Sequence, residues 1–464
     1  MEDKLPGGYS MDKIKIWWRK EQENELNSGE SMLKAIPMDK RRSTLSLIAV
    51  SFAWAFLMLG LVIGESVAKA QSAGEIALGI LIGNTTLFVI CFLVGYVGYK
   101  TGFNNAMVYR FVFGKKGMIL PGILVTIVGL GWQASFIGMF TEVWIGSEVT
   151  LTYIIIGIFA GILITYTCYK GIKGIEYISW PSIIIFSIVM FIAIVYCFNS
   201  LGGISGIDAA AKSANAVEPV TITMKVNMVI GSWIVGAMFA GDFIRFCKSV
   251  PGVFWFVAIN FFFVQPLLQI MGALGFLAFG TYNPGMYLAV TGSISWILIM
   301  VSFSLAVWTT GNTNLYFTQT PLANMFKVPR RISALVLGSI ATIIGAFGMF
   351  NYLESFVGLL ASIVPPIFGP LVVDFYLIHK RKYNVELIER LPNVNYQAIA
   401  AYLAGVIIPL IYTPIWLPSS IWAIIVSVIS YAILATISIA SGKKFGYLAI
   451  KSEPNPPTSN TEIV

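Results

Sequence analysis

Long apolar runs, separated by short polar and mostly basic segments, make up most of the chain. A helix of ~20 apolar residues crosses a bilayer core. Runs of that length fall at roughly 44–68, 74–99, 118–145, 149–168, 175–198, 222–244, 252–280, 291–318, 331–350, 353–378, 395–415 and 419–441. The pattern predicts an all-α polytopic membrane protein with twelve transmembrane helices. The first run is too long for a cleaved signal peptide, follows a polar tail, and has no small-residue cleavage pattern after it. That tail, with Trp17-Trp18, is expected to lie as an interfacial helix on the cytoplasmic leaflet. The segment from Glu453 to Val464, with Pro454, Pro456 and Pro457, reads as disordered.

The charges test this count independently. With the N-terminus cytoplasmic, all 30 Lys and Arg fall on the inner side except Lys69, Lys212 and Lys225. A wrong helix count would invert that bias partway along, so an even number of spans with both ends cytoplasmic is expected. The net charge of +8 is therefore a topology signal and not a nucleic-acid footprint. Composition agrees: only 11% of the 464 residues are charged and mean hydropathy is +0.80. Soluble domains carry about 25% charged residues. Cys91, Cys168, Cys197 and Cys247 lie in or beside apolar runs without metal spacing, and His379 is the single histidine. Zinc chemistry and most histidine-based catalysis are thereby removed.

Transporters bind their cargo where helices break at mid-membrane. Small residues surround a large aromatic in Ala49-Val50-Ser51-Phe52-Ala53-Trp54-Ala55 of span 1 and in Ile230-Gly231-Ser232-Trp233-Ile234-Val235-Gly236-Ala237 of span 6. These spans are five apart, as an inverted repeat of five plus five helices requires. Either the helices break at these places or the small residues permit close packing. Span 8 is denser in chemistry: Ala306-Val307-Trp308-Thr309-Thr310-Gly311-Asn312-Thr313-Asn314 carries five polar side chains within six residues. Such groups are costly against lipid. Adjacent hydroxyls and a carbonyl suit a hard cation, and carboxamides suit the edge of a heterocycle. In span 3, Gly129-Leu130-Gly131-Trp132-Gln133 leaves room for a flat ligand against an indole, or packs as an ordinary membrane aromatic. Pro365-Pro366 must interrupt span 10. Asp242 and Arg245 have the spacing of a structural ion pair, Asp374 reads as structural, Glu65 and Glu75 flank an outer vestibule, and His379 reads as a solvated loop residue.

These segments resemble the nucleobase–cation symporter family, also called the purine–cytosine permeases, over about 35–445. The resemblance rests on the stretch Gly95 to Gly102 (GYVGYKTG), on Arg110 to Gly117 (RFVFGKKG), and on Gly131-Trp132. It rests also on Asp242 to Phe246 (DFIRF), Trp308-Thr309-Thr310, and Pro365-Pro366 with Asp374-Phe375-Tyr376. It implies a leucine-transporter-type fold: a tail (1–43), a five-helix repeat (44–198), a second, inverted repeat (222–378), two additional helices (395–441) and a C-terminal tail (442–464). It further implies a stacking platform of Trp132 and Trp233, with Gly231, Ser232, Gln133, Asn312 and Asn314 reading the ring edge. A Na⁺ site would use Thr309, Thr310 and the Ala306 backbone with carbonyls of Ala49 and Phe52. Cytosine carriers have a glutamine at what is Gly129 here and an asparagine at what is Gly311, so edge contacts differ while the stacking element is kept.

The reading is a plasma-membrane symporter, not an enzyme, that imports a flat nitrogen heterocycle (purine, cytosine, hydantoin, allantoin or a vitamin ring). Na⁺ is the coupling ion, and there is no other cofactor and no nucleic-acid partner. Its partners are the small substrate, the cation and the lipid bilayer, and a monomer is compatible with the sequence. Rivals are a proton-coupled relative, an amine or amino-acid carrier of the same fold, and an ion channel. The chain has neither the filter of a channel, nor the P-loop of a pump, nor a buried nucleophile with a base.

Overall fold

A computed structural model describes residues 19–20, 23, 34–55, 59–170, 172–284, 287–288, 296–383, 385–442 and 445–446. Trp17-Trp18 and the segment from Glu453 onward lie outside them. All twelve apolar runs coincide with helix. In the first half, α1 (Thr44–Ala55) and α2 (Leu59–Ala68) form span 1. Span 2 is α3 (Ala73–Thr101), followed by a short connecting helix α4 (Asn105–Phe113). Spans 3 to 5 are α5 (Ile119–Ile145), α6 (Leu151–Tyr169) and α7 (Ile172–Leu201). After a connecting helix α8 (Ile204–Val217), span 6 is α9 (Ile222–Phe239) plus α10 (Gly241–Ile244). Span 7 is α11 (Val250–Ala258), a π segment and α12 (Gln265–Phe279). Spans 8 and 9 are α13 (Trp296–Phe326) and α14 (Arg330–Ala346), which meet at 119° across the Lys327–Pro329 turn. Span 10 is α15 (Leu353–Ile363), a 3₁₀ turn, α16 (Phe368–Val372) and a second π segment. Last come α17 (Tyr396–Ile411) and α18 (Ser419–Ala440). By length and apolarity alone, eight helices among the described residues qualify as spans, or nine with the α13–α14 pair; α2 and α17 are shorter.

Local chemistry explains the ends and irregularities. Ser72, Thr150, Thr221 and Ser249 each accept a backbone N–H three residues on, capping α3, α6, α9 and α11. Pro266 lacks an amide donor and crowds the carbonyl four residues back, and the π segment Ile259–Val264 lies there. Pro365-Pro366 does the same in span 10 as a 3₁₀ turn, Pro365–Ile367.

Packing displays the repeat. The most extensive helix pairs are α2 on α12, α5 on α13, α9 on α3, and α6 on α14. Exchanging spans 1–5 with 6–10 turns the span 1–7 pair into the span 6–2 pair and maps 3–8 and 4–9 onto themselves. Close approach has a sequence cause: a Cβ on Gly64 would stand 2.1 Å from the Gln269 carbonyl oxygen, and one on Gly272 2.0 Å from that of Leu61. α17 packs on α18 outside this set. Ile127, Ile155, Ile162 and Phe191 turn outward and exposed, as a lipid-facing perimeter requires.

The sequence left spans 1 and 6 open between a break and close packing, and it read His379 as solvated. Span 6 stays helical through Gly231–Ala237 and turns only at Ala240. Its small residues serve packing instead: a Cβ on Gly231 would lie 3.1 Å from Val357 of α15, and one on Gly236 3.1 Å from the Trp54 ring. Span 1 is helical from Thr44 to Ala55, so Ala49 to Trp54 lie within α1. His379 is not solvated but 3% exposed, its Nε2 3.6 Å from Asp374 Oδ2. The chain folds back there, and the His379 amide donates to the Asp374 carbonyl.

Candidate functional site

Spans 1, 3, 6 and 8 converge on one small cavity of about 30 Å³. Three indoles, Trp54, Trp132 and Trp233, form its walls together with Phe136 and Phe317. Trp54 meets Trp233 edge to face, centroids 5.0 Å apart at 85°. Phe136 lies one turn beyond Trp132 and nearly parallel to it, 5.8 Å away at 18°. Phe356 of α15 closes the other side of Trp132, 5.3 Å away at 72°.

The polar lining comes from Ser232, Thr310, Thr313 and Asn314. Ser232 Oγ donates to the Val229 carbonyl at 2.7 Å, Thr310 Oγ1 to Ala306 at 3.0 Å, and Thr313 Oγ1 to Thr310 at 2.9 Å. Asn314 Nδ2 donates to the Gly129 carbonyl and to Gln133 Oε1, both at 2.9 Å. Trp233 Nε1 is buried without a hydrogen-bond partner among the described residues.

Of the residues singled out from sequence, Trp132, Trp233, Ser232, Thr310 and Asn314 line this cavity. Gly231 faces α15. Asn312 points away, because two residues on a helix are about 200° apart. Its Oδ1 accepts from Thr167 Oγ1 of α6 at 2.6 Å, and Trp308 Nε1 donates to the same hydroxyl at 3.0 Å. Gln133 is fully buried between α5 and α13, behind Asn314. Thr309 Oγ1 is buried and has no hydrogen-bond partner among the described residues, one residue from Thr310 and one turn from Ala306. α1 packs against α13, which carries that group. Phe52 and Ala49 both lie on α1.

Trp54, Phe136, Thr313 and Phe317 were not singled out as site residues. Helical spacing held the signal: Phe136 is four residues from Trp132, and Thr313 and Phe317 are three and seven from Thr310. The two departures from cytosine carriers have structural counterparts. A Cβ on Gly129 would stand 2.2 Å from Thr318 Oγ1, and one on Gly311 3.0 Å from Ile164.

At the end of the bundle where α10 closes, Asp242 Oδ1 accepts the Asn105 amide at 2.7 Å, and Arg245 Nε donates to the Asp242 carbonyl at 3.2 Å. Arg41 straps that end: Nη1 donates to Tyr99 at 2.6 Å and to Cys247 at 3.2 Å. Burial pushes the Cys247 thiol up to about 12, with the Arg41 guanidinium pulling the other way.

Paired inverted repeats around an aromatic and hydroxyl-lined mid-span cavity define a multi-pass helical membrane carrier. The chain belongs to the family of permeases for cytosine/purines, uracil, thiamine and allantoin, whose profile matches residues 36–434. It is 26% identical to the cytosine permease of Escherichia coli (strain K12) over 415 residues, 89% of this chain and 94% of that one. It is 21% identical to the hydantoin permease of Microbacterium maritypicum, over 77% of this chain and 79% of that one. Its fold is similar to Mhp1, a nucleobase–cation-symport-1 family transporter, in a closed conformation with bromovinylhydantoin bound. There the TM-score is 0.75 at 16% identity, over 88% of this chain and 97% of that one. Against inward-facing Mhp1 the TM-score is 0.68 at 19% identity, covering 86% and 92%.

Proposed function

We propose that this protein is a secondary active symporter that carries a flat nitrogen heterocycle inward by alternating access, coupled to Na⁺. The observation that carries the reading is the meeting of three indoles with hydroxyls and a carboxamide in one buried cavity. Indole faces bind a flat ring by stacking, and the polar groups fix its edge. The family description and the names of the relatives support a cargo among nucleobases and related rings.

The cation reading rests on Thr309 Oγ1, a buried oxygen without a partner, beside the Thr310 hydroxyl and the Ala306 carbonyl. Hard cations take neutral oxygen ligands of this kind. Ala49 and Phe52 would add carbonyls from α1. A cation between α1 and α13 ties the two repeats together. If it and the heterocycle favour the same closed state, each raises the other's affinity equally. The basic inner loops support a plasma-membrane orientation with both termini cytoplasmic.

A thermal-shift screen of the purified protein tests this. Nucleobases, hydantoin, allantoin and B-vitamin rings are compared in Na⁺ and in choline. A ligand that binds only the folded state raises the melting temperature by mass action. One ring stabilising, and more strongly in Na⁺, is expected. A ring hit indifferent to Na⁺ would move the coupling to protons. An amino acid or amine stabilising in place of any ring would overturn the cargo.

A further inference from the structure

We propose that Gln133 is a positioning residue that, together with the Gly129 carbonyl, holds the polarity of the Asn314 carboxamide, so that only its oxygen faces the ligand. The proposal rests on the heterocycle reading of the same cavity and narrows its cargo. A carboxamide has two N–H donors on nitrogen and lone pairs on oxygen. Both Asn314 donors are committed, to the Gly129 carbonyl and to Gln133 Oε1. A backbone carbonyl only accepts, so the nitrogen must lie on the Gly129 side whichever way the amide is assigned. Asn314 lines the cavity, and what remains to face it is Oδ1.

Gln133 is not itself in the cavity wall. It is fully buried, and its Nε2 has no partner among the described residues, about where Gly311 leaves space, 3.5 Å from the Cβ that glycine lacks. The neighbouring hydroxyls reinforce the polarity, because Ser232 and Thr313 spend their protons on backbone carbonyls. Spans 6 and 8 therefore present lone pairs, and among the cavity-lining residues Trp233 Nε1 is a buried donor without a partner among the described residues. The ring edge that faces α13 must bring an N–H, from a ring nitrogen or an amino group.

The test uses two probe pairs that exchange donor and acceptor at neighbouring positions on one skeleton: adenine with hypoxanthine, and cytosine with uracil. Dissociation constants are read by tryptophan quenching. The wild type is expected to prefer one member of a pair by about tenfold or more. Gln133→Leu removes one of the two acceptors that hold the carboxamide nitrogen, leaving the Gly129 carbonyl alone to orient it, and is expected to shrink that preference to about threefold or less. Gln133→Glu, still an acceptor toward Asn314, is expected to keep it, and Gln133→Met serves where the leucine variant fails to fold. Equal binding of both members by the wild type, or an unchanged preference in Gln133→Leu, overturns the proposal. Ligand-free melting of Gln133→Leu, Asn314→Leu and the double variant reads the lock alone. Non-additive shifts are expected and additive shifts overturn it. Non-additive shifts in a protein that binds none of the four rings would overturn the heterocycle reading and leave the lock standing.

Discussion

Thr309 and Thr310 are neighbours in sequence with different surroundings: Thr310 lines the aromatic cavity, and Thr309 holds a buried oxygen without a partner. Under the proposed coupling, Thr309→Ala and Thr310→Ala should raise the Na⁺ concentration for half-maximal uptake by about tenfold or more, equivalent to ~1.4 kcal/mol. Uptake measured across a Na⁺ series checks this, and an unchanged half-saturation would remove these residues from the cation site. The hydroxyl pair was legible in the sequence because two threonines deep in an apolar run are costly without a role. That Asn312 and Asn314 face opposite ways follows from helical geometry, but which of them faces the cavity depended on where α5 and α6 pack.

Helix contacts set the next scale. α2 lies so close on α12 that Gly64→Ala would drive a methyl into the Gln269 carbonyl, a backbone atom that has no rotamer to escape into. A loss of about 1–3 kcal/mol is expected, read as a lower melting temperature. Gly358→Ala is the control: nothing lies within 4 Å of its added Cβ, so melting should stay or rise slightly. At the foot of span 10, Asp374 accepts from Tyr431 of α18 at 2.8 Å and from Tyr383 at 2.5 Å. Tyr383 in turn stacks on Phe111 of α4, 4.5 Å away at 14°. Asp374→Leu strands both phenols and should cost about 1–3 kcal/mol in a melt, whereas Tyr431→Phe should cost less. Asp374 and His379 are distant in sequence from α4 and α18, so no spacing rule announced this hub, and the lone histidine was read as solvated.

The whole molecule is shut at the end where Arg41, Asp242 and Cys247 meet. Cys247 is fully buried there, and its raised thiol holds little reactive thiolate at pH 8. In a variant with Cys91, Cys168 and Cys197 changed to Ala, maleimide labelling of Cys247 should be slow. Arg41→Ala removes bonds to Ile36, Tyr99 and Cys247 and should speed labelling about tenfold or more. Equal rates would mean that the strap does not hold this end closed.

The all-α class, the twelve apolar segments and the polar density of span 8 were settled by sequence alone, because a bilayer forces long apolar runs and penalises every polar exception. Tertiary structure decided the rest. It set the tryptophan of span 3, which the sequence left between a ligand face and ordinary packing, on the cavity wall. It kept span 6 helical through Gly231–Ala237, since glycines that permit a break also permit close packing. It brought Trp54 of span 1 against Trp233 of span 6, placed Gln133 behind Asn314, and buried His379 on Asp374. The Trp54–Trp233 and Gln133–Asn314 contacts join segments far apart in the chain, and a pattern read along one helix gives that helix a face without saying which neighbour the face meets.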